Sequence, residues 1–245
     1  MFISAPQRNI FRFNMSKQRT SGWTRKKRYV LYGILTAIGI GFAFYQAETS
    51  FNWKNSKVWN FDSYLVNTVP PNFAESETDP TPGLWVVKAD NSAPSGSNVL
   101  AKLPGNDNLD YHLQIMPDSP SSASLEEVKV EFKIISGQKA QAAGLILRFQ
   151  DKDHYFVLMA DAMNGRFSLC RLEQPYLICN YEHQAQISTG EWHTIKANVS
   201  PEGLGGYLDD KLLIRANNQA YQDGQIGLWT KGGTEAYFDD LELNY

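Results

Sequence analysis

Two carboxyl groups flanking a bond can serve as acid and nucleophile, and on a β-strand alternate positions bring them to one face. A Glu-x-Asp-x-Glu run would do this, and none occurs here. Glu126-Glu127 and Asp239-Asp240 are adjacent, so on a strand they face opposite ways. Glu131 sits between Lys129 and Lys133, opposite an apolar set, as on a solvated strand face. The chain has no Gly-x-Ser-x-Gly elbow, no phosphate loop and no His-x-x-x-His. His112, His154, His183 and His193 are scattered. These residue types set up no catalysis, and an enzyme is not expected.

The elements that would carry any site divide by charge. Residues 1–28 hold eight Lys/Arg and no Asp or Glu, whereas 48–245 hold the other fifteen basic residues and all 26 acidic ones. That acidic body lacks the basic surface that non-specific nucleic-acid binding needs. Between them lies Tyr29 to Ala47, nineteen uncharged residues reading YVLYGILTAIGIGFAFYQA. A spanning helix needs roughly 20 apolar residues. Arg25-Lys26-Lys27-Arg28 abuts the N-terminal end, and positive charge stays on the cytoplasmic side. The alternative is a cleaved signal peptide with Gly41-Phe42-Ala43 as its small-x-small site; an uncleaved anchor is preferred. Gly33, Ala37 and Gly41 share one helical face, a spacing that admits a second helix in lipid. The expected layout is a cytoplasmic basic tail (1–28), a transmembrane helix (29–47), a linker (48–57) and an extracytoplasmic domain (58–245). The expected address is a bacterial inner membrane, crossed once, with the body in the periplasm.

After residue 57 the pattern changes from helix to strand. Val128, Val130, Phe132 and Ile134 alternate with Lys129, Glu131 and Lys133, the period of a half-buried strand. Similar short segments recur along the chain. Turn signals separate them at Asp151-Lys152-Asp153, Asn164-Gly165, Asp209-Asp210 and Asp223-Gly224. Many short strands at regular spacing predict an all-β sandwich or barrel. The segments 166–172 and 176–181 read as a hairpin turning at Gln174-Pro175. Counting outward pairs Leu172 with Leu177 and Cys170 with Cys179, close enough for a bridge. A Cys170–Cys179 disulfide is preferred over two free thiols, and two Cys without nearby His do not make a zinc site.

Several segments are similar to one family. Gly144-Leu145-Ile146-Leu147-Arg148-Phe149, followed by Asp151-Lys152-Asp153-His154-Tyr155-Phe156, resembles a pattern of concanavalin A-like jelly rolls. The likeness is to the laminin-G-like branch and to bacterial 3-keto-disaccharide hydrolase domains. Glu191 to Lys196, Tyr207 to Leu213 and Gly224 to Lys231 with Tyr237 to Leu241 extend it, with His154 and Asp210 departing from the pattern. The resemblance implies a two-sheet antiparallel jelly-roll sandwich, here preceded by one transmembrane α-helix, with its first and last strands adjacent. It also implies where a sugar would bind: an aromatic platform beside polar groups, for which Trp85, Arg148, Tyr155, Trp192 and Trp229 are the candidates. Trp192 has the opposite parity to Ile195, Ala197 and Val199, so it faces away from them. In related folds a structural cation ties the first strand to the last, and Asp62, Asp239 and Asp240 would supply its oxygens. Otherwise no cofactor is expected.

Fold does not settle function. The leading expectation is a non-catalytic accessory subunit of a membrane complex, held to its partners through Gly33, Ala37 and Gly41, with the sandwich as a docking domain. The alternative is a membrane-anchored carbohydrate-binding module, and the third a glycoside hydrolase of the 3-keto-disaccharide type.

Overall fold

The computed structural model describes residues 55–71, 73–75, 84–105, 111–116, 118–200, 202–217 and 220–245. Alternation does here what it predicts. In β6 (Glu127–Ser136), Val128, Val130 and Phe132 are fully buried while Lys129 and Glu131 stay partly exposed. The strand lies in the middle of an eight-stranded antiparallel sheet. Its order is β13 (Lys211–Ala216), β12 (Gly203–Leu208), β11 (His193–Ser200), β6, β15 (Glu235–Asn244), β4 (Asn98–Lys102) and β3 (Trp85–Ala89). β1 (Ser56–Trp59) also pairs with β15, Ser56 opposite Asn244, so the first and last strands are neighbours.

A second antiparallel sheet runs β10 (Tyr176–Gln184), β9 (Arg166–Glu173), β8 (His154–Asp161), β7 (Ala142–Asp151), β14 (Gln225–Lys231), β5 (Tyr111–Ile115) and β2 (Ala74–Glu75). The inner faces meet over one core that includes Phe61, Trp85, Phe132, Phe156, Phe167 and Phe238. Trp85 and Phe238 stand with ring centres 5.7 Å apart. Burying each such ring stabilises the fold by about 2–3 kcal/mol. The opposite face of the seven-stranded sheet is also buried and apolar, with Leu113, Ile146, Val157, Leu172 and Trp229 in a second cluster. Strands buried on both faces read as unbroken apolar runs, which is how β7 and β8 read in the sequence.

Hairpin chemistry sets the register. β9 and β10 place Leu172 opposite Leu177 and Cys170 opposite Cys179, and the two sulfurs are bonded. Asp209 and Asp210, at φ 48° and 60°, close the turn between β12 and β13. Aspartate tolerates the left-handed region, and two such residues fit the twist of a tight hairpin.

The expected fold class needs one correction. A two-sheet antiparallel sandwich is present, but no helix among the described residues is long and apolar enough to cross a membrane. The helical segment they contain is one 3-10 turn, Ser122–Ser124. The span expected at 29–47, with Gly33, Ala37 and Gly41, lies outside the described residues. The transmembrane helix, the single-pass inner-membrane address and the periplasmic placement are therefore withdrawn. They rested on the hydropathy of that stretch and on the basic residues beside it, and no described element supports them.

Candidate functional site

The five expected contact residues do not share a surface. Trp85 is fully buried between the sheets. Trp229 and Tyr155 are fully buried in the second cluster, where the indole N–H donates to the Tyr155 hydroxyl at 3.2 Å, and burial pushes that phenol up. Arg148 is 2% exposed with φ 54°, and burial pulls its guanidinium down. Buried rings cannot stack on a sugar. Of the five, Trp192 alone is partly exposed.

Trp192 stands immediately before β11 on the outer face of the eight-stranded sheet. Strand pairing sets Thr194 beside Glu131 on β6 and Tyr237 of β15 beside Lys133. Lys133 therefore comes between two rings, with its ammonium 4.8 Å from the centre of Trp192 and 5.4 Å from that of Tyr237. A cation at this range of an aromatic face is attracted by the ring quadrupole. Lys133 is 5% exposed and paired with Asp90, and it donates to the Ser92 hydroxyl at 2.6 Å. The Trp192 indole N–H donates to that same hydroxyl at 3.2 Å.

Asp90 and Ser92 come from the loop joining β3 to β4. Ser92 donates its backbone N–H and its hydroxyl to Asp90 Oδ1, each at 2.9 Å, which fixes the turn. Burial raises the Asp90 carboxyl, yet the bonds from Lys133 and Ser92 outweigh it and hold the group below its ordinary value. On the far side of Tyr237, Lys88 donates to the phenol oxygen at 2.6 Å and lies 3.7 Å from Glu235. The bond to Tyr237 holds the Lys88 ammonium up against the opposing pull of burial. The result is a fixed row, Lys88–Tyr237–Lys133–Trp192, with two half-exposed rings and every ammonium neutralised.

The face continues along β11. Thr194, Lys196 and Asn198 point outward in turn after Trp192. Thr194 donates to Glu131 at 2.8 Å, and Lys196 lies 4.6 Å over the Tyr207 ring. At the end of β11 a groove of about 290 Å³ opens over Gly205, lined by Asn198, Tyr207, Leu212 and Arg215 among others.

The three aspartates expected to bind a cation do converge, around the same β3–β4 loop. Asp62 Oδ1 accepts the Ser97 and Asn98 N–H groups at 2.8 and 3.0 Å. Asp239 accepts from the N–H of Ser95 at 3.3 Å and of Asp240 at 2.8 Å, and the Ser95 hydroxyl donates to Asp240 at 2.7 Å. Burial, then the charges of Asp240 and Asp62, push the Asp239 carboxyl up to about 7 against those N–H bonds. The carboxylates thus serve the loop, and no described group of three or more His, Cys, Asp or Glu is arranged to hold a metal ion.

One arrangement was invisible in the sequence. Ser188 Oγ lies 3.1 Å from His193 Nε2, and His193 Nδ1 lies 2.8 Å from Asp209 Oδ2. That is the order of a serine–histidine–aspartate relay. The other contacts give it a structural use. The Ser188 hydroxyl donates to Glu191 at 2.6 Å, so its proton points away from the imidazole. The Ser188 backbone N–H donates to Nε2 at 3.2 Å, occupying the lone pair a general base would use. Asp209 also accepts the Thr194 N–H at 2.9 Å. His193 pins the turn before β11 to the β12–β13 hairpin.

No family model matches this chain, and no curated protein matches it. Among solved structures it is similar to the carbohydrate-binding module CBM66 from Bacillus subtilis. The two are 18% identical, with 71% of this chain and 96% of that one covered and a TM-score of 0.55. It is also similar to the GH16 of the Bacteroides ovatus mixed-linkage glucan PUL, solved with a G4G4G3G product. That match has 9% identity, covers 79% of this chain and 97% of that one, and has a TM-score of 0.51. These likenesses carry the fold. They do not carry the expected kinship with 3-keto-disaccharide hydrolase domains behind a membrane anchor, which is corrected to a two-sheet antiparallel β-sandwich. The accessory-subunit reading is corrected with it, because no described helix is available to hold a partner in a membrane.

Proposed function

We propose that residues 55–245 form a non-catalytic carbohydrate-binding module whose contact surface is the outer face of the eight-stranded sheet. The observation that carries this is the Trp192–Lys133–Tyr237 row, two half-exposed rings held by one buried, neutralised ammonium. Aromatic faces pack on the C–H faces of sugars, and neighbouring hydroxyl, amide and carboxylate groups orient the sugar hydroxyls. Ser92, Asp90 and Glu235 stand at the rim for that purpose. The likeness to a carbohydrate-binding module supports the same reading. The reading calls on no cofactor, and Asp62, Asp239 and Asp240 anchor the β3–β4 loop.

The test is a glycan array followed by isothermal titration with the array hits, for the wild type and for Trp192→Ala. Binding to at least one glycan is expected, weakened by about tenfold or more, about 1.4 kcal/mol, in the variant. A silent array, or equal affinity in the folded variant, would overturn the proposal.

A further inference from the structure

The contact face is longer than one sugar, and the lysines between its two ends are paired with carboxylates. The inference rests on the carbohydrate-binding reading above. Trp192, just before β11, and Asn198, near its far end, stand on one outward row. They lie six residue steps apart, about 20 Å at 3.3 Å per residue. A ring stands at one end and the Gly205 groove at the other. That groove holds about 290 Å³, the share of roughly ten waters in the liquid and near the lower limit for small-ligand sites.

The groove exists because β12 has glycine at 205. A Cβ there would meet Tyr207 Cε2 at 3.4 Å and Asn198 Cβ and Leu212 Cδ1 at 3.7 Å, ordinary contact distances. The strand therefore accepts a side chain at this position, and a longer one would fill the space. Beside it the Asn198 amide donates to the Tyr207 hydroxyl at 3.4 Å, and Lys196 covers one face of the Tyr207 ring. What remains is an aromatic edge, an amide and a guanidinium, groups suited to hydroxyls.

Between the two ends each charge is matched. Lys129 lies 3.4 Å from Glu131, and Lys196 lies 4.0 Å from Glu127 and 3.6 Å from Asp210. Paired charges offer donors and acceptors together and exert little long-range attraction on an ion. From this geometry we infer that the face takes an extended, uncharged oligosaccharide laid along β11, with Trp192 holding one part of the chain and the Gly205 groove another.

The experiment is titration of wild type, Gly205→Leu, Asn198→Ala and Trp192→Ala with neutral gluco-, xylo-, arabino- and fructo-oligosaccharides of two, four and six sugars. For the series that binds, wild-type affinity is expected to rise about tenfold or more, 1.4 kcal/mol, from the shortest to the longest member. Gly205→Leu should remove that gain and leave the shortest member unchanged, while Trp192→Ala weakens all lengths. Should Gly205→Leu fail to fold, Asn198→Ala reads the same loss. Affinity should also hold constant as salt rises. Length-independent binding, an unchanged gain in both groove variants, or a steep fall with salt overturns this inference and leaves carbohydrate binding standing. No binding of any glycan at any length overturns the function itself.

Discussion

Lys133 places its ammonium 4.8 Å from the centre of the Trp192 ring while pairing with Asp90. Three segments remote in sequence are thereby tied at one point: β6, the turn before β11, and the loop after β3. The pair is mostly out of water, with the Lys133 and Asp90 side chains 7% and 14% exposed. Removing one partner of such a pair costs more than the pair contributes, because the other charge is left unmatched. Lys133→Met should lower the unfolding free energy by roughly 2–4 kcal/mol at pH 7, and adding Asp90→Asn should recover most of that.

The same pair has a pH signature. The Asp90 carboxyl lies below its ordinary value in the folded state, despite burial, through its bonds to Lys133 and Ser92. Its contribution is therefore present above the unfolded-state value near 4 and is lost as pH falls through the folded one. Urea titrations should show the gap between wild type and Lys133→Met closing as the pH drops below about 4. A gap that stays constant into acid would remove Asp90 from the account.

Asp239 works in the opposite direction. Its carboxyl is fully buried and raised from 3.8 to about 7, by burial first and then by the charges of Asp240 and Asp62. Between those values the folded protein holds a proton that the unfolded chain has released. Stability from this group is thus greatest in acid and falls as pH rises toward 7. Melts at pH 5 and pH 8 should show wild type losing roughly 2–4 kcal/mol from this source, and Asp239→Asn should flatten that slope. Millimolar calcium should leave the pH 8 melt unchanged; a rise that Asp239→Asn abolishes would assign the three aspartates to a cation.

How much of this was legible depends on which contacts are local. The β6 strand and the β9–β10 hairpin follow from alternation and from counting out from a turn, so their residues carry the signal themselves. Trp192 was legible too, since its parity sets it against Ile195. Lys133 and Tyr237 were not identified with it, although Lys133 alternates outward and Tyr237 is out of phase with Phe238. Their meeting requires β6 to lie between β11 and β15, which no local pattern encodes. Trp85, Tyr155 and Trp229 show the converse error: aromatic identity says nothing about which face of a sheet is covered. The first half of strand β1 was read as the end of a linker, because Ser56 and Lys57 are polar and owe their conformation to pairing with β15.

The Ser188–His193–Asp209 relay yields a chemical prediction. With the Ser188 proton given to Glu191 and the His193 Nε2 lone pair given to the Ser188 N–H, the hydroxyl is not activated. A fluorophosphonate probe should leave Ser188 unlabelled. Asp209→Ala, which deprives both His193 and the Thr194 N–H of an acceptor, should cost about 1–3 kcal/mol of stability. Labelling at Ser188, lost in His193→Ala, would refute the structural role and reopen catalysis.

The disulfide lies on the sheet that the proposed ligand does not touch, and this separates stability from binding. Cys170 and Cys179 close a loop with a sequence separation of 9. A cross-link that short removes limited freedom from the unfolded chain, on the order of 2–3 kcal/mol in the chain-entropy account. β10 is the outermost strand of the seven-stranded sheet, whereas Trp192, Lys133 and Tyr237 belong to the other sheet. Replacing both cysteines by alanine should therefore lower the urea midpoint and leave the affinity for the best-binding glycan within about twofold of wild type. Equal losses in stability and affinity would move the contact surface to the seven-stranded sheet.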